Sequence, residues 1–219
     1  MTELRSPRER YRAQIRDEIK DVALRQLAEL GPGGVSVNAI GKDLGVSGPA
    51  VYRYFASRDE LLSELVVDAY TDLAASLRSA VANVPGPPAR SALETLLRSY
   101  RAWAANLPHR YRLLYGPLLP GHDPNAERLV RASQASMELL LAALPPADRA
   151  QRIPKGLVAQ ATSWMQSQGL SADVPTAIRA VQTWSRLHGF VTLEINGNFA
   201  SMGLDPDALF EIELSSLGR

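Results

Sequence analysis

Residues 36–62 read SVNAIGKDLGVSGPAVYRYFASRDELL, and this stretch decides the fold. Ser36 precedes an apolar pair, Val37 and Ile40, at helical spacing, where its hydroxyl can accept a hydrogen bond from a free first-turn amide. A short helix is predicted over about 37–44. Gly45 ends it, because glycine tolerates the left-handed backbone of a tight turn. Ser47 can cap a second helix over about 48–54, with Pro49 in a first turn that needs no intrahelical donor. Val51 and Phe55 are its inward pair. Helix, glycine turn, helix is the pattern of a helix-turn-helix, although such short helices also occur in bundles that touch no DNA.

Working outward, Ser57 and Glu60 form a capping box ahead of Leu61, Leu62, Leu65, Val66 and Tyr70. That helix is predicted to run to about residue 82, where Pro85, Gly86, Pro87 and Pro88 close it. On the other side, Ile15, Ile19, Val22, Leu27 and Leu30 make one amphipathic stripe over residues 8–30, stopped by the glycine and proline run 31–34. Helical periodicity continues over about 89–106, 108–115, 125–144, 156–170 and 176–196, with a short helix after Pro206. No segment alternates as a strand does, and no repeat is visible. The expected fold is all-α.

Composition sets looser bounds. The chain has 219 residues, 46% apolar and 21% charged, the balance of a globular protein rather than a disordered one. Its 24 basic and 23 acidic side chains give a net charge of only +1, so overall charge does not argue for a nucleic-acid partner. Charge is concentrated at the start, where Arg5, Arg8, Arg10, Arg12 and Arg16 outnumber Glu3 and Glu9. Such an arm can lie along phosphates or enter a minor groove; a solvated, disordered terminus is the plainer alternative. There is no cysteine, no signal-peptide core and no apolar run long enough for a bilayer, which predicts a cytoplasmic protein without a membrane partner. His109, His122 and His188 are scattered, and neither a glycine-rich phosphate loop nor a nucleophile elbow occurs. No catalytic centre, metal site or cofactor is expected.

The 36–62 stretch closely resembles the DNA-binding head of the TetR family of bacterial regulators. The resemblance rests on Ile40, Gly45-Val46-Ser47, Tyr52, Phe55, Arg58 and Leu61-Leu62. It implies a three-helix helix-turn-helix head, residues 1–57, followed by a multi-helix body, residues 58–219, that binds an effector and pairs into a homodimer. It also implies that the second short helix enters the major groove of a double-stranded operator. Gly48, Pro49 and Ala50 at that helix's start leave room for base edges and thymine methyls. Arg53, one turn on, can reach guanine or a phosphate. Tyr52 and Tyr54 can donate to phosphate oxygens, Tyr52 being favoured by the family pattern; partial burial against the first helix is the alternative for both. Ser36 and Ser47 cap helix ends that are themselves anion sites. Arg58 is a further candidate. Two departures stand out: Gly41 replaces a common alanine, loosening the helix or permitting closer packing, and Gly48 replaces a common lysine or arginine.

Within the body, residues 63–219 carry 14 basic and 14 acidic side chains and are electrically balanced. Trp184 through Gly189 resembles the Trp…His-Gly signature of one TetR subgroup. Trp184 and His188 share a helical face, where they either line an effector cavity or simply pack. Trp103, Tyr111, Tyr115 and Trp164 carry the same two readings. The resemblance implies a dimer surface on the late helices, about 156–170 and 176–196, and Leu157, Ile178, Val181, Leu187, Val191 and Ile195, spread over more than one face, are consistent with it. The implied function is an effector-released repressor; an activator, or a protein-interaction adaptor that keeps the head as scaffold, are the alternatives.

Overall fold

Ser6 opens the first helix with a full capping box. Its hydroxyl accepts from the Glu9 amide at 3.3 Å, and its own amide donates to the Glu9 carboxylate at 2.8 Å. In this computed structural model the described residues are 6–82, 89–116, 127–145 and 152–217; they form helices, turns and loops, with no strand among them. The chain divides into two compact units. The described part of the first is residues 6–69 and 109–116; the second holds the remainder.

The first unit is built on α1, Pro7–Leu30. Ile19, Val22, Ala23 and Leu27 are buried along the predicted stripe, while Leu30, expected to extend it, is exposed where the helix ends at Gly31. Burial of the isoleucine, valine and leucine among them stabilises by roughly 1.5–3 kcal/mol each. After a 3-10 turn at Pro32–Gly34 comes α2, Val37–Asp43, where the Ser36 hydroxyl accepts from the Ala39 amide at 3.3 Å. Buried Gln26 in α1 accepts the Ser36 amide at 2.9 Å, tying the cap to α1. Gly45 has a φ of +68°, the left-handed backbone expected of it. One turn of α3, Gly48–Val51, follows, shorter than predicted because residues 52–54 continue as turns.

The helix α4, Arg58–Ala82, starts where the Ser57 hydroxyl accepts from Glu60 at 3.0 Å, although the Glu60 carboxylate reaches the Ala56 amide rather than that of Ser57. Leu61, Leu62 and Leu65 are buried, and Lys20 of α1 pairs with Asp68 at 2.9 Å. The first unit therefore runs past Ser57 to Ala69, and α4 itself carries on into the second.

Beyond it lie α5 (Ala89–Asn106), α6 (Pro108–Tyr115), α7 (Glu127–Ala143), α8 (Lys155–Ser167), α9 (Val174–Ile195), α10 (Asn198–Ser201) and α11 (Pro206–Leu217). The small α10 was not predicted. Residues 125–126, assigned to the α7 segment by pattern, lie outside the described residues, as do Arg5 and the rest of 1–5. In the second unit α5 packs on α7 and α9. Its core includes Leu93, Leu97 and Trp103 from α5, Ala177, Leu187 and Val191 from α9, and Phe210 and Leu214 from α11. Arg101 joins three of these helices. It holds Glu194 of α9 through two bonds of 2.8 and 2.6 Å, meets Asp207 of α11 at 2.7 Å, and lies over the Phe210 ring at 4.7 Å. Its hydrogen bonds to Glu194, outweighing desolvation, raise the guanidinium pKa above its ordinary range. Among the described residues, no helix is long and apolar enough to cross a membrane.

Candidate nucleic-acid interface

The α2–α3 corner is tight at two glycines, one set against backbone and the other against the Asn38 side chain. A Cβ on Gly41 would lie 3.0 Å from the Val46 carbonyl oxygen and 3.1 Å from the Gly48 nitrogen. On Gly48 it would lie 2.2 Å from the Asn38 Oδ1. Of the two readings of Gly41, close packing is the one the geometry bears. Gly48 likewise faces α2, so it is half-buried packing as well as a gap at the start of α3.

Around that corner the candidate contacts differ in availability. Pro49 is exposed and Ala50 half-exposed. Ser36 caps α2 as expected, but Ser47, at the cap position of α3, makes no side-chain cap bond, which corrects the expectation; the residue is exposed. Tyr52 is 47% exposed, and Arg53 is exposed as well. Neither side chain has a hydrogen bond or ion pair among the described residues. Tyr54 is half-buried beneath the Arg12 guanidinium, 5.7 Å from its ring centre. Arg58 is occupied within the unit: its Nε donates to the Val35 carbonyl at 2.8 Å, Nη2 donates to that of Pro32, and Nη1 pairs with Asp59 at 3.8 Å. It anchors the start of α4 to the strand of chain before α2, a role the sequence did not suggest. The N-terminal arginines from Arg8 onward lie on the helix predicted for residues 8–30, and Arg12 and Arg16 donate to carbonyls of the chain after α3.

The six aromatic and histidine candidates are divided between the two units. Tyr111 and Tyr115 belong to the first unit, their rings 5.1 Å apart. Trp103, Trp164, Trp184 and His188 belong to the second. Trp103 is buried, and its indole N–H donates to Asp72 at 2.8 Å, which satisfies its polar edge within the core. Trp164 packs beside the buried group of Met165, Leu170 and Ala177. Trp184 and His188 stack at 5.4 Å, their planes 15° apart, and burial lowers the His188 pKa below the ordinary histidine value. A cleft of about 400 Å³ in this unit is lined by residues that include Glu138, Leu141, Leu170, Asp173 and Thr176, and by none of the six.

A capped helix, a left-handed glycine turn and a one-turn helix followed by exposed Tyr52 and Arg53, set before a long helix and a separate helical unit, define a helix-turn-helix DNA-binding regulator. The chain belongs to the TetR family. Residues 19–65 match the profile described as bacterial regulatory proteins, tetR family, and residues 93–217 match the tetracyclin repressor-like C-terminal domain. It is 31% identical over 210 residues to the HTH-type transcriptional regulator Rv1816 of Mycobacterium tuberculosis, covering 92% of this chain and 90% of that one. The crystal structure of SCO4313, a protein assigned a regulatory role, aligns with a TM-score of 0.80 at 40% identity, over 97% of this chain and 98% of that one. FadR of Bacillus subtilis, solved with stearoyl-CoA, shares the fold at a TM-score of 0.62 and 16% identity, over 91% and 96% of the two chains. The protein is a TetR-family transcriptional regulator and not an enzyme.

Proposed function

We propose that the protein is a homodimeric repressor that binds a palindromic operator and is released by a small apolar or amphipathic effector. The carrying observation is the free, exposed pair Tyr52 and Arg53 directly after α3. In this reading residues 1–57 act as the DNA-binding head and residues 58–219 as the effector and dimer body. Arg53 reads a base edge or grips a phosphate, and Tyr52 donates to a phosphate oxygen. Pro49 and Ala50 approach the bases, Gly48 lets α3 seat against α2, and Ser36, Ser47 and Tyr54 line the backbone side. Arg58 contributes through the position it gives α4.

Support for the dimer surface comes from α8 and α9. Leu157, Val158, Val181 and Leu193 are exposed there although apolar, while Leu187 and Val191 on the other side of α9 are buried. Pairing these faces by a twofold axis sets two recognition helices roughly 34–36 Å apart, one turn of duplex. The effector binds in the second unit, where Trp184 and His188 form a stacked, half-buried pair that can meet it. A bound molecule releases DNA only by preferring the state whose heads do not fit the operator. The helix α4, which belongs to both units, carries the change.

The test compares wild type with Arg53→Ala and Tyr52→Phe on an operator duplex. Arg53→Ala is expected to cost about 1–3 kcal/mol of operator affinity and to relax preference at one base position. Tyr52→Phe should weaken all duplexes by a similar factor. Both variants keep the wild-type sedimentation behaviour. Operator binding by both variants equal to wild type would remove these residues from the interface.

A further inference from the structure

Two arginines one turn apart on α1 serve the segment after α3. Arg12 Nη2 donates to the carbonyl of Arg53 at 3.1 Å, and Arg16 Nη1 donates to the next carbonyl, that of Tyr54. The two guanidiniums also cover the neighbouring rings. Arg12 lies over Tyr54, and Arg16 lies over buried Phe55 at 4.0 Å while pairing with Glu64 of α4 at 3.7 Å.

The backbone explains why such donors are needed. Because α3 makes only one turn, Tyr54 and Phe55 close back onto Val51, and among the described residues no main-chain amide reaches the carbonyls of Arg53 and Tyr54. Left to water, those two peptide planes are free to rotate. Rotation there swings the bond on which the Arg53 side chain is mounted. Charged donors make hydrogen bonds about twice as strong as neutral ones, and a planar guanidinium held by a ring, a carbonyl and a carboxylate has little freedom left. The Phe55 side chain fixes one end of the segment in the core, and the arginines fix its polar side.

We propose that Arg12 and Arg16 are positioning residues for sequence readout: they hold the Tyr52–Tyr54 segment in the orientation that lets Arg53 discriminate among bases, and they do so without touching DNA. The proposal rests on the assignment of Tyr52 and Arg53 to the DNA face. It reverses the expectation that these N-terminal arginines lie along phosphates, and it makes α1 a determinant of specificity.

The experiment uses the full-length protein, an operator duplex obtained by selection and a scrambled duplex of equal length, over a range of salt. Arg16→Gln is expected to weaken operator binding by at least about tenfold while scrambled-duplex binding stays within about twofold, and Arg12→Gln to show the same pattern more mildly. The slope of log affinity against log salt should stay at the wild-type value, since no phosphate contact is lost. The carbonyl carbon resonances of Arg53 and Tyr54 should shift in both variants, and Arg16→Lys, which keeps charge but not the planar fork, should restore operator binding only in part. Equal loss on both duplexes, with a slope shallower by about one, would make the arginines phosphate contacts and overturn the proposal. So would wild-type discrimination by both glutamine variants. Arg16 also holds Glu64 and Phe55, so Arg12→Gln, at an exposed position, carries the test if Arg16→Gln does not fold. A wild-type protein that cannot tell the two duplexes apart would instead sink the assignment of Tyr52 and Arg53, and this proposal with it.

Discussion

His188 shows how much one residue's surroundings decide. Burial makes its protonation harder in the folded chain than in the unfolded one, where a histidine titrates near 6.5. Above both values it adds nothing to the pH dependence. As pH falls through 6.5 the unfolded chain takes up a proton that the folded one resists, so stability is lost, and the loss is complete below the folded pKa. His109 shifts the same way, from burial and then from the charge of Arg110. The urea midpoint should therefore be lower at pH 5 than at pH 7.5, with a smaller difference in His188→Gln; an unchanged difference in that variant would refute the contribution. Residue by residue, the sequence revealed types more readily than occupations. That Gly45 must turn and that Val51 and Phe55 must face inward follow from local rules, and both are seen. Nothing local reveals that Arg58 reaches carbonyls 23 and 26 residues back, or that the Trp103 indole is answered by Asp72. Long, flexible or bifunctional side chains find partners through tertiary proximity, which periodicity does not encode.

The helices themselves were legible because each has a stripe and a punctuated end. α1, α4, α5 and α6 fall close to their predicted ranges. α3 was overextended by pattern, since Tyr52–Tyr54 carry helix-compatible side chains while the chain must tighten to bring Phe55 into the core. The grouping of helices was less visible: the α6 residues from His109 onward join the first unit despite their place in sequence. Also hidden was how firmly α11 is tied. Arg101 and Glu194 side chains are 16% and 17% exposed, whereas Arg98 and Glu211, bonded at 2.5 and 2.7 Å, are 49% and 57% exposed. Removing one partner of a sheltered pair strands the other, so Arg101→Leu should lower stability by about 2–3 kcal/mol. Arg98→Leu should change it by less than about 1 kcal/mol, because water screens that pair. Denaturant unfolding followed by circular dichroism measures both; equal effects would mean that shelter does not set the strength of these pairs.

At the scale of the whole molecule, a regulator of this family is expected to work as a symmetric pair, and symmetry is what its DNA should report. Its near-zero net charge gives little non-specific attraction, so in this reading affinity comes from contacts concentrated at the helix-turn-helix. Neutral composition obscured this function, and the 36–62 stretch exposed it, because a helix-turn-helix needs particular residues at a few turns rather than an overall charge. The most direct test is selection of binding sites from random duplex DNA by the wild-type protein. The expected product is a near-palindrome with half-sites centred about 10 base pairs or a multiple apart, one of whose positions loses its preference in Arg53→Ala. Enrichment of no sequence at all, or of a single site without twofold symmetry, would contradict a dimeric regulator reading DNA through α3.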